Sequence, residues 1–128
     1  MTSSNEAATP NAVVETFFKH LRAGNTELAL KCWSQDGVWH ITGKSCRARD
    51  YSIAEYLPMC AQWYIDYPQY SAEFGALSSI GELAFFSIRS KHGEAPGETE
   101  GIMLYRVVDG LITEGWAIPA RHGNRYTF

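Results

Sequence analysis

Apolar residues near the start of the chain recur on one face of a helix. Thr9 supplies a capping hydroxyl and Pro10 suits the first helical position. Gly24 ends the pattern, as glycine does at many helix C-termini. The apolar stripe has helical spacing and consists of Val13, Val14, Phe17, Phe18 and Leu21. An amphipathic first helix is therefore predicted.

Two further helices are predicted. Asn25 caps a short one, whose buried side carries Leu28, Ala29, Cys32 and Trp33. Ser52 and Glu55 form a capping box that opens the third helix. Its apolar stripe is Ile53, Leu57, Cys60, Ala61 and Tyr64. Pro58 lies within it and is expected to kink it or to shift its start, and Tyr67-Pro68 ends it.

One strand is predicted between the second and third helices, and the second half of the chain has the pattern of strands throughout. β-Branched, aromatic and alternating positions predict the first at 37–42 and the others at 70–78, 82–91, 99–108 and 111–118. Asp109-Gly110 predicts a tight hairpin between the last two, and residues 92–98 form a turn-rich connector. The order α-α-β-α-β-β-β-β indicates the α+β class, with a curved antiparallel sheet wrapped around the N-terminal helices.

Composition limits the function classes. The 128 residues leave room for one domain, predicted over 10–128 after a flexible tail at 1–9. A hydrophobic content of 45% excludes a disordered chain. The net charge of −3 offers no basic patch, so we expect no nucleic-acid partner. We also expect no membrane span and no signal peptide, because no apolar run has the required length.

Three cysteines are an odd number without CxxC spacing: Cys32, Cys46 and Cys60. We expect free thiols in a reducing cytoplasm. The four histidines show no i, i+4 pair, so we expect no metal site. Phosphate-cradling loops and a GxSxG elbow are absent from the sequence, so no cofactor is expected.

Three phrases, in their order and spacing, resemble the nuclear transport factor 2-like superfamily and its SnoaL-like polyketide cyclase and ketosteroid isomerase branch. They are FFKHLRAGNTELAL at 17–30, WSQDGVWH at 33–40 and VVDGLITEGWAIPA at 107–120. The resemblance implies a cone-shaped sheet around an apolar pocket, a homodimer formed through the outer sheet face, and a hydrophobic small-molecule ligand. Such proteins include isomerases, cyclases, dehydratases and epoxide hydrolases, and also non-catalytic binding modules.

The acid–base groups of the resembled enzymes are missing at the matching positions. The ketosteroid isomerase tyrosine and two aspartates correspond to Phe17, Ile41 and Met103. The epoxide hydrolase set corresponds to Ala117, Ser87, Arg89, Trp39 and Ile41, and the late acid of cyclases to Pro119 and Ala120. Ketosteroid isomerase chemistry by that route is therefore excluded, because it needs a base, and limonene-type epoxide hydrolysis is doubtful.

The same register predicts which side chains face the interior, because strand residues alternate faces. Those expected inside are Trp39, Ile41, Ser87, Arg89, Met103, Tyr105, Gly115 and Ala117. His40, Glu114 and Trp116 are expected to face outward. The predicted pocket lining is Phe17, Trp39, Ile41, Tyr56, Trp63, Ser87, Met103 and Ala117.

Three residues are the catalytic candidates, each with an alternative interpretation. Arg89, inside, either pairs with a carboxylate or stabilises a substrate anion. Tyr105 either packs its ring or donates its hydroxyl to a substrate oxygen. His40 either contacts solvent or a second subunit, or carries protons if the register slips.

Two functions remain open from the sequence. The first is a small cofactor-independent enzyme that isomerises, cyclises or dehydrates a hydrophobic organic substrate, as the resemblance implies. The alternative is a non-catalytic binding module of the same fold. A titratable group lining the pocket favours the enzyme.

Overall fold

The computed structural model describes residues 9–42, 49–66, 71–92 and 100–120. Three helices are present there: α1 (Pro10–Arg22), α2 (Thr26–Leu30) and α3 (Ile53–Asp66). The strands are β1 (Trp33–Ile41), β2 (Asp50–Ser52), β3 (Ser71–Phe74), β4 (Ser78–Ile80), β5 (Leu83–His92), β6 (Glu100–Val108) and β7 (Leu111–Pro119). Residues 1–8 of the predicted tail at 1–9, residues 93–98 of the predicted connector at 92–98, and Cys46 lie outside the described residues.

The seven strands form one sheet in the order β2-β1-β7-β6-β5-β3, with β4 also paired to β5. The α+β class is confirmed, but the sheet is mixed and not wholly antiparallel, because β1 pairs with β7 in parallel. β1 and β7 are far apart in sequence, so no local turn signal specifies their relative direction. The sheet curves around the helices with the cone shape expected of this fold.

The predicted start of α1 is confirmed. Thr9 Oγ1 accepts a hydrogen bond from the Ala12 amide at 3.3 Å. Four of the five predicted stripe residues are buried, namely Val13, Val14, Phe17 and Leu21, while Phe18 is half-buried against the core. The apolar face of α1 therefore packs on the sheet.

The second predicted helix was too long. Trp33 opens β1, where it pairs with Ile112 of β7, and Cys32 precedes that strand. Leu28, predicted to be buried, is 43% exposed. Sheet pairing overrides helical spacing here because the main-chain groups of Trp33 are used by the neighbouring strand.

The capping box of α3 is confirmed on one side, where the Glu55 amide donates to Ser52 Oγ at 3.2 Å. The helix begins at Ile53 and continues through Pro58, so the expected shift of its start does not occur. Tertiary packing of Ile53, Leu57 and Cys60, all buried, offsets the backbone hydrogen bond that proline removes. Of the helices described, none has the length and apolar content required to cross a bilayer.

The predicted strand 70–78 divides into β3 and β4, which both pair with β5 and form the edge of the sheet there. Gly75 separates them and its amide donates to the Ser87 carbonyl at 2.9 Å. A Cβ atom on Gly75 would overlap Ser87 Oγ, so only glycine fits this approach without a shift. The division places Phe74 at the end of β3, beside α1.

The hairpin between β6 and β7 is confirmed. Asp109 and Gly110 both have positive φ, 53° and 81°, as a two-residue turn of this type requires. Ladder pairing then changes register between Arg106 and Val107. Because of this irregularity Ile112 and Gly115, three positions apart, both point inward.

Candidate functional site

A small aromatic cavity lies between α1, α3 and the inner sheet face. Its lining comes from both helices and four strands: Phe17, Phe18, Leu21, Trp33, Trp39, Tyr56, Cys60, Phe74, Ile88, Met103 and Tyr105. The free volume is about 20 Å³, which holds about one water molecule. Drug-sized ligands occupy roughly 300–1,000 Å³. The cavity is therefore nearly filled by its own side chains.

Ring packing explains the filling. Trp39 stacks on Tyr56 with ring centroids 5.2 Å apart and is 5.5 Å from Tyr105. Trp33 meets Trp39 edge to face at 6.4 Å. Gly115 makes room for both indoles, because a Cβ there would lie 2.5 Å from two Trp39 ring carbons. The two tryptophans are thus held in fixed positions in the wall.

Two hydrogen-bond donors in this wall have no acceptor. The indole nitrogens of Trp33 and Trp39 are fully buried, and neither has a hydrogen-bond partner in the described part of the chain. An unmade buried hydrogen bond costs about 1–3 kcal/mol. Unsatisfied buried donors are rare in folded proteins and call for an explanation, such as a missing water or ligand. Both donors belong to rings that line the same cavity.

The other polar groups of the cavity are weak acids, contributed by Tyr56, Tyr105 and Cys60. Burial raises the pKa of the Cys60 thiol to about 12, although a hydrogen bond with Tyr56 acts in the opposite direction. The thiol therefore stays protonated at neutral pH. Among the described residues that line the cavity none is Asp, Glu or His, so the wall offers proton donors and no ordinary base.

The predicted interior of three strands agrees with the structure. Buried side chains or backbone are found at Trp39, Ile41, Met103, Tyr105, Gly115 and Ala117. Of the predicted lining residues, Phe17, Trp39, Tyr56 and Met103 do line the cavity, and so does the catalytic candidate Tyr105. Ile41, Trp63 and Ala117 are buried in the surrounding core and do not reach it.

The prediction for β5 was wrong by one residue. Ala84, Phe86 and Ile88 face inward, so Ser87 and Arg89 point out. A shift of one position reverses every side chain of a strand, and the register implied by the family resemblance contained that shift in β5. Arg89 is two-thirds exposed and its Nη2 lies 3.1 Å from Glu100 Oε2. Of the two interpretations of Arg89, the structure shows the one in which it pairs with a carboxylate, and the pair lies at the surface. Arg89 is therefore not placed to hold a substrate in the cavity.

His40 faces outward, as predicted, and has two carboxylate partners. Its Nδ1 lies 2.6 Å from Asp50 Oδ1 on β2, and its Nε2 lies 2.8 Å from Glu114 Oε2 on β7. Trp116 stacks on the imidazole at 5.3 Å. Glu114 also approaches Arg106 Nε at 3.9 Å. His40 is therefore part of a charged network on the outer face and does not reach the cavity.

The carboxylates change the ionisation of His40. Burial alone lowers the pKa of an imidazole, but the hydrogen bonds and charges of Asp50 and Glu114 outweigh it, so the pKa of His40 is raised above its ordinary 6.5. The protonated ring donates from both nitrogens. Because both carboxylates favour the protonated ring and both ring nitrogens are engaged, His40 is poorly placed to act as a general base for a substrate.

Several cavity residues were missed as pocket residues: Phe18, Leu21, Trp33, Cys60, Phe74 and Ile88. Phe18, Leu21 and Cys60 were recognised only as apolar stripes, and the helical spacing does contain that signal. Trp33 was misplaced on a helix. Phe74 was placed on a strand, but its approach to α1 depends on Gly75, a contact that the sequence pattern does not reveal. Within the described ranges, no group of His, Cys, Asp or Glu side chains could hold a metal ion.

The curved sheet packed on helices, with a cavity between them, defines the nuclear transport factor 2-like class. The chain belongs to the SnoaL-like domain family, whose family model matches residues 14–115. No curated protein matches its sequence.

Solved structures with the same fold are similar in shape and distant in sequence. IdmH, a proposed polyketide cyclase from Streptomyces antibioticus, is 18% identical, with a TM-score of 0.70 over 87% of this chain and 91% of IdmH. A protein of unknown function from Xanthomonas campestris is 15% identical, with a TM-score of 0.73 over 91% and 94% of the two chains. A proposed polyketide cyclase from Sinorhizobium meliloti is 17% identical, with a TM-score of 0.65 over 81% and 91%. At these identities the likeness establishes the fold alone.

Proposed function

We propose that this protein binds a small hydrophobic organic compound that carries a carbonyl oxygen, and that the oxygen accepts hydrogen bonds from the indole N–H groups of Trp33 and Trp39. The observation that carries the proposal is the pair of buried donors without acceptors in one apolar wall. A carbonyl oxygen supplies the missing acceptor, and the rest of the ligand contacts the aromatic rings. The volume of about 20 Å³ requires that side chains move aside when the ligand enters.

The chemistry proposed for the bound compound is isomerisation, cyclisation or dehydration without a cofactor. Donors aimed at a carbonyl oxygen stabilise the negative charge that develops there when the adjacent C–H proton is transferred to a water molecule that enters with the ligand, because no described lining residue is an ordinary base. Tyr105, only 1% exposed, is the proposed proton donor among the lining residues. The SnoaL-like family membership and the structural likeness to proposed polyketide cyclases support this reaction class.

A second candidate function is a binding module without catalysis. The observation that favours it is the lack of a carboxylate or imidazole among the described residues of the cavity wall. Such a module still needs the two indole donors for its ligand, so binding alone does not separate the candidates. Proton exchange on a bound ketone separates the two candidate functions, because only an enzyme accelerates it.

Binding is tested with acetophenone and its hydrocarbon analogue ethylbenzene. If the indoles hold the carbonyl, acetophenone quenches tryptophan fluorescence saturably. Its dissociation constant is about tenfold lower than that of ethylbenzene, which is measured by competition with acetophenone. Trp39→Phe removes most of that preference, whereas Trp63→Phe, a buried tryptophan outside the lining, retains it. Equal affinity for the two probes contradicts the proposal.

Catalysis is tested by exchange of the acetophenone methyl protons in heavy water, followed by proton NMR. An enzyme that stabilises the enolate accelerates the exchange, and Tyr105→Phe reduces the acceleration. Saturable binding without accelerated exchange supports the binding module instead.

We also propose a homodimer through the outer sheet face. Apolar side chains stay exposed there, with Ile102 at 43% and Ile118 at 37%, and a groove of about 770 Å³ lies beside them. A second copy of the chain would cover these residues. Sedimentation of the wild-type protein and of Ile102→Glu tests this, with a dimer expected for the first and a monomer for the second.

A cytoplasmic location is proposed from the thiols. Cys32 and Cys60 are both free, which suits a reducing compartment. Fractionation of the source cells tests it.

A further inference from the structure

A second space adjoins the aromatic cavity. It is an open groove of about 710 Å³ between α1 and the edge of the sheet formed by β3 and β5. Its floor is apolar, with Val14, Leu77 and Phe86, and its rim carries Glu15, Lys19 and Arg22 from one face of α1. Unlike the cavity, the groove has the volume of a small-molecule site.

The cavity and the groove are separated by two rings. Phe18 and Phe74 line both spaces, and their centroids are 5.9 Å apart. Phe74 is 38% exposed, whereas Phe17 and Trp33, deeper in the cavity, are buried. Movement of Phe18 and Phe74 therefore joins the nearly filled cavity to the open groove.

Arg22 lies over this entrance. Its guanidinium carbon is 4.7 Å from the Phe74 ring centroid and 5.8 Å from that of Phe18. In the part of the chain that the structure describes, no carboxylate forms an ion pair with Arg22, although Arg49, Arg89 and Arg106 each have at least one. Glu15 is four residues before Lys19 on the same helical face, where opposite charges interact favourably. Lys19 has no ion pair among the described residues either, but Arg22 is the rim cation that contacts both entrance rings.

We propose that the ligand of this protein is an amphipathic organic carboxylate, whose apolar body passes between Phe18 and Phe74 into the cavity while its carboxylate binds Arg22 at the groove. This inference rests on the proposed function, because it adds an anionic group to the compound held by Trp33 and Trp39. Arg22 is suited to it, since a guanidinium binds a carboxylate through two parallel hydrogen bonds. Its contact with the phenyl rings fixes the cation where a ligand must pass.

The test compares 3-benzoylpropionate with its methyl ester, which share the aryl ketone and differ in charge. In the wild-type protein at low salt we expect the acid to bind about fivefold more tightly than the ester. Raising the salt concentration to about 0.5 M reduces this preference, because it screens the charge. Arg22→Gln abolishes the preference, and Arg22→Lys retains part of it, which also controls for folding.

Arg89→Gln is the matched control. Arg89 is an exposed arginine on the opposite face of the sheet, and it already has a carboxylate partner, Glu100. We expect the Arg89→Gln variant to keep the fivefold preference for the acid. If acid and ester bind equally to the wild-type protein, or if Arg22→Gln keeps the preference, the carboxylate site is wrong while the cavity proposal stands. If neither these probes nor acetophenone bind at millimolar concentration, the cavity proposal fails, and this inference fails with it.

Discussion

His40 Nε2 lies 2.8 Å from Glu114 Oε2, although 74 positions separate the two residues in the chain. The contact joins β1 to its parallel neighbour β7, and the second ring nitrogen of His40 joins β1 to Asp50 on β2. One protonated imidazole therefore links three strands on the outer face of the sheet.

Folding stability is predicted to fall as the pH rises above neutrality. The folded pKa of His40 is raised above 6.5, so the folded chain binds the proton more tightly than the unfolded chain. The stabilisation is complete below the unfolded pKa and is lost as the pH rises through the folded value. Urea unfolding at about pH 6 and about pH 9 measures this loss.

His40→Gln should flatten that pH profile, while His20→Gln should leave it unchanged, because His20 has no carboxylate partner among the described residues. A proton NMR titration of the His40 ring gives the pKa directly. A value below 6.5 contradicts the assignment.

Gly115→Ala is predicted to destabilise the fold by about 1–3 kcal/mol, as overpacking of a core does. The new Cβ would lie 2.5 Å from Trp39 Cε3 and Cζ3 and 3.1 Å from Trp33 Cη2. These rings are buried, and the cavity beside them has only about 20 Å³ of free volume to receive them. Gly75→Ala is the matched control, because its clash is with the Ser87 hydroxyl, which is on an exposed residue and can rotate. A smaller loss for Gly115→Ala than for Gly75→Ala would show that the indoles are not fixed.

Cys60 is predicted to resist thiol reagents in the folded protein. Its side chain is 3% exposed and its pKa is about 12, so at pH 8 only on the order of one thiol in ten thousand is ionised. A Cys32→Ser, Cys46→Ser variant isolates it for reaction with a disulfide reagent. The Cys46→Ser, Cys60→Ser variant isolates half-buried Cys32 and should react faster, and denaturant should remove the difference. Rapid reaction of Cys60 in the native state would mean that the cavity opens to solvent.

Arg89→Met is predicted to leave ligand binding in the cavity unchanged. Its guanidinium is two-thirds exposed on the outer face, and exposed ion pairs contribute about 0–1 kcal/mol. Fluorescence titration with acetophenone checks that the affinity is unchanged. A urea unfolding curve checks that the free energy of unfolding changes little. A large loss of affinity would restore Arg89 to the site and contradict the outward orientation of β5.

Local features of the fold could be predicted from the sequence because their determinants are adjacent in the chain. The cap at Thr9, the capping box at Ser52 and the turn at Asp109-Gly110 each depend on a few neighbouring residues. The inward orientation of Trp39 and Tyr105 followed from the register that the family resemblance implies, together with the alternation of strand residues. By contrast, the parallel pairing of β1 with β7 depends on residues far apart, and no turn signal encodes it.

The candidate site was predicted only in part, for two physical reasons. The face of β5 depended on a register that was wrong by one residue, which moved Ser87 and Arg89 to the wrong side. Three inward residues of that strand are Ala84, Phe86 and Ile88, an alternation that could have corrected it. The unpaired indoles could not be found in this way, because hydrogen-bond satisfaction depends on every neighbour in three dimensions.

The most direct test of the account follows the four indole N–H signals of the nitrogen-15-labelled protein by NMR during titration with acetophenone. We expect the Trp33 and Trp39 N–H protons to shift downfield on gaining an acceptor, while those of Trp63 and Trp116 change little. If acetophenone saturates the protein and the Trp33 and Trp39 signals stay in place, the carbonyl is not held by these donors and the central claim is contradicted.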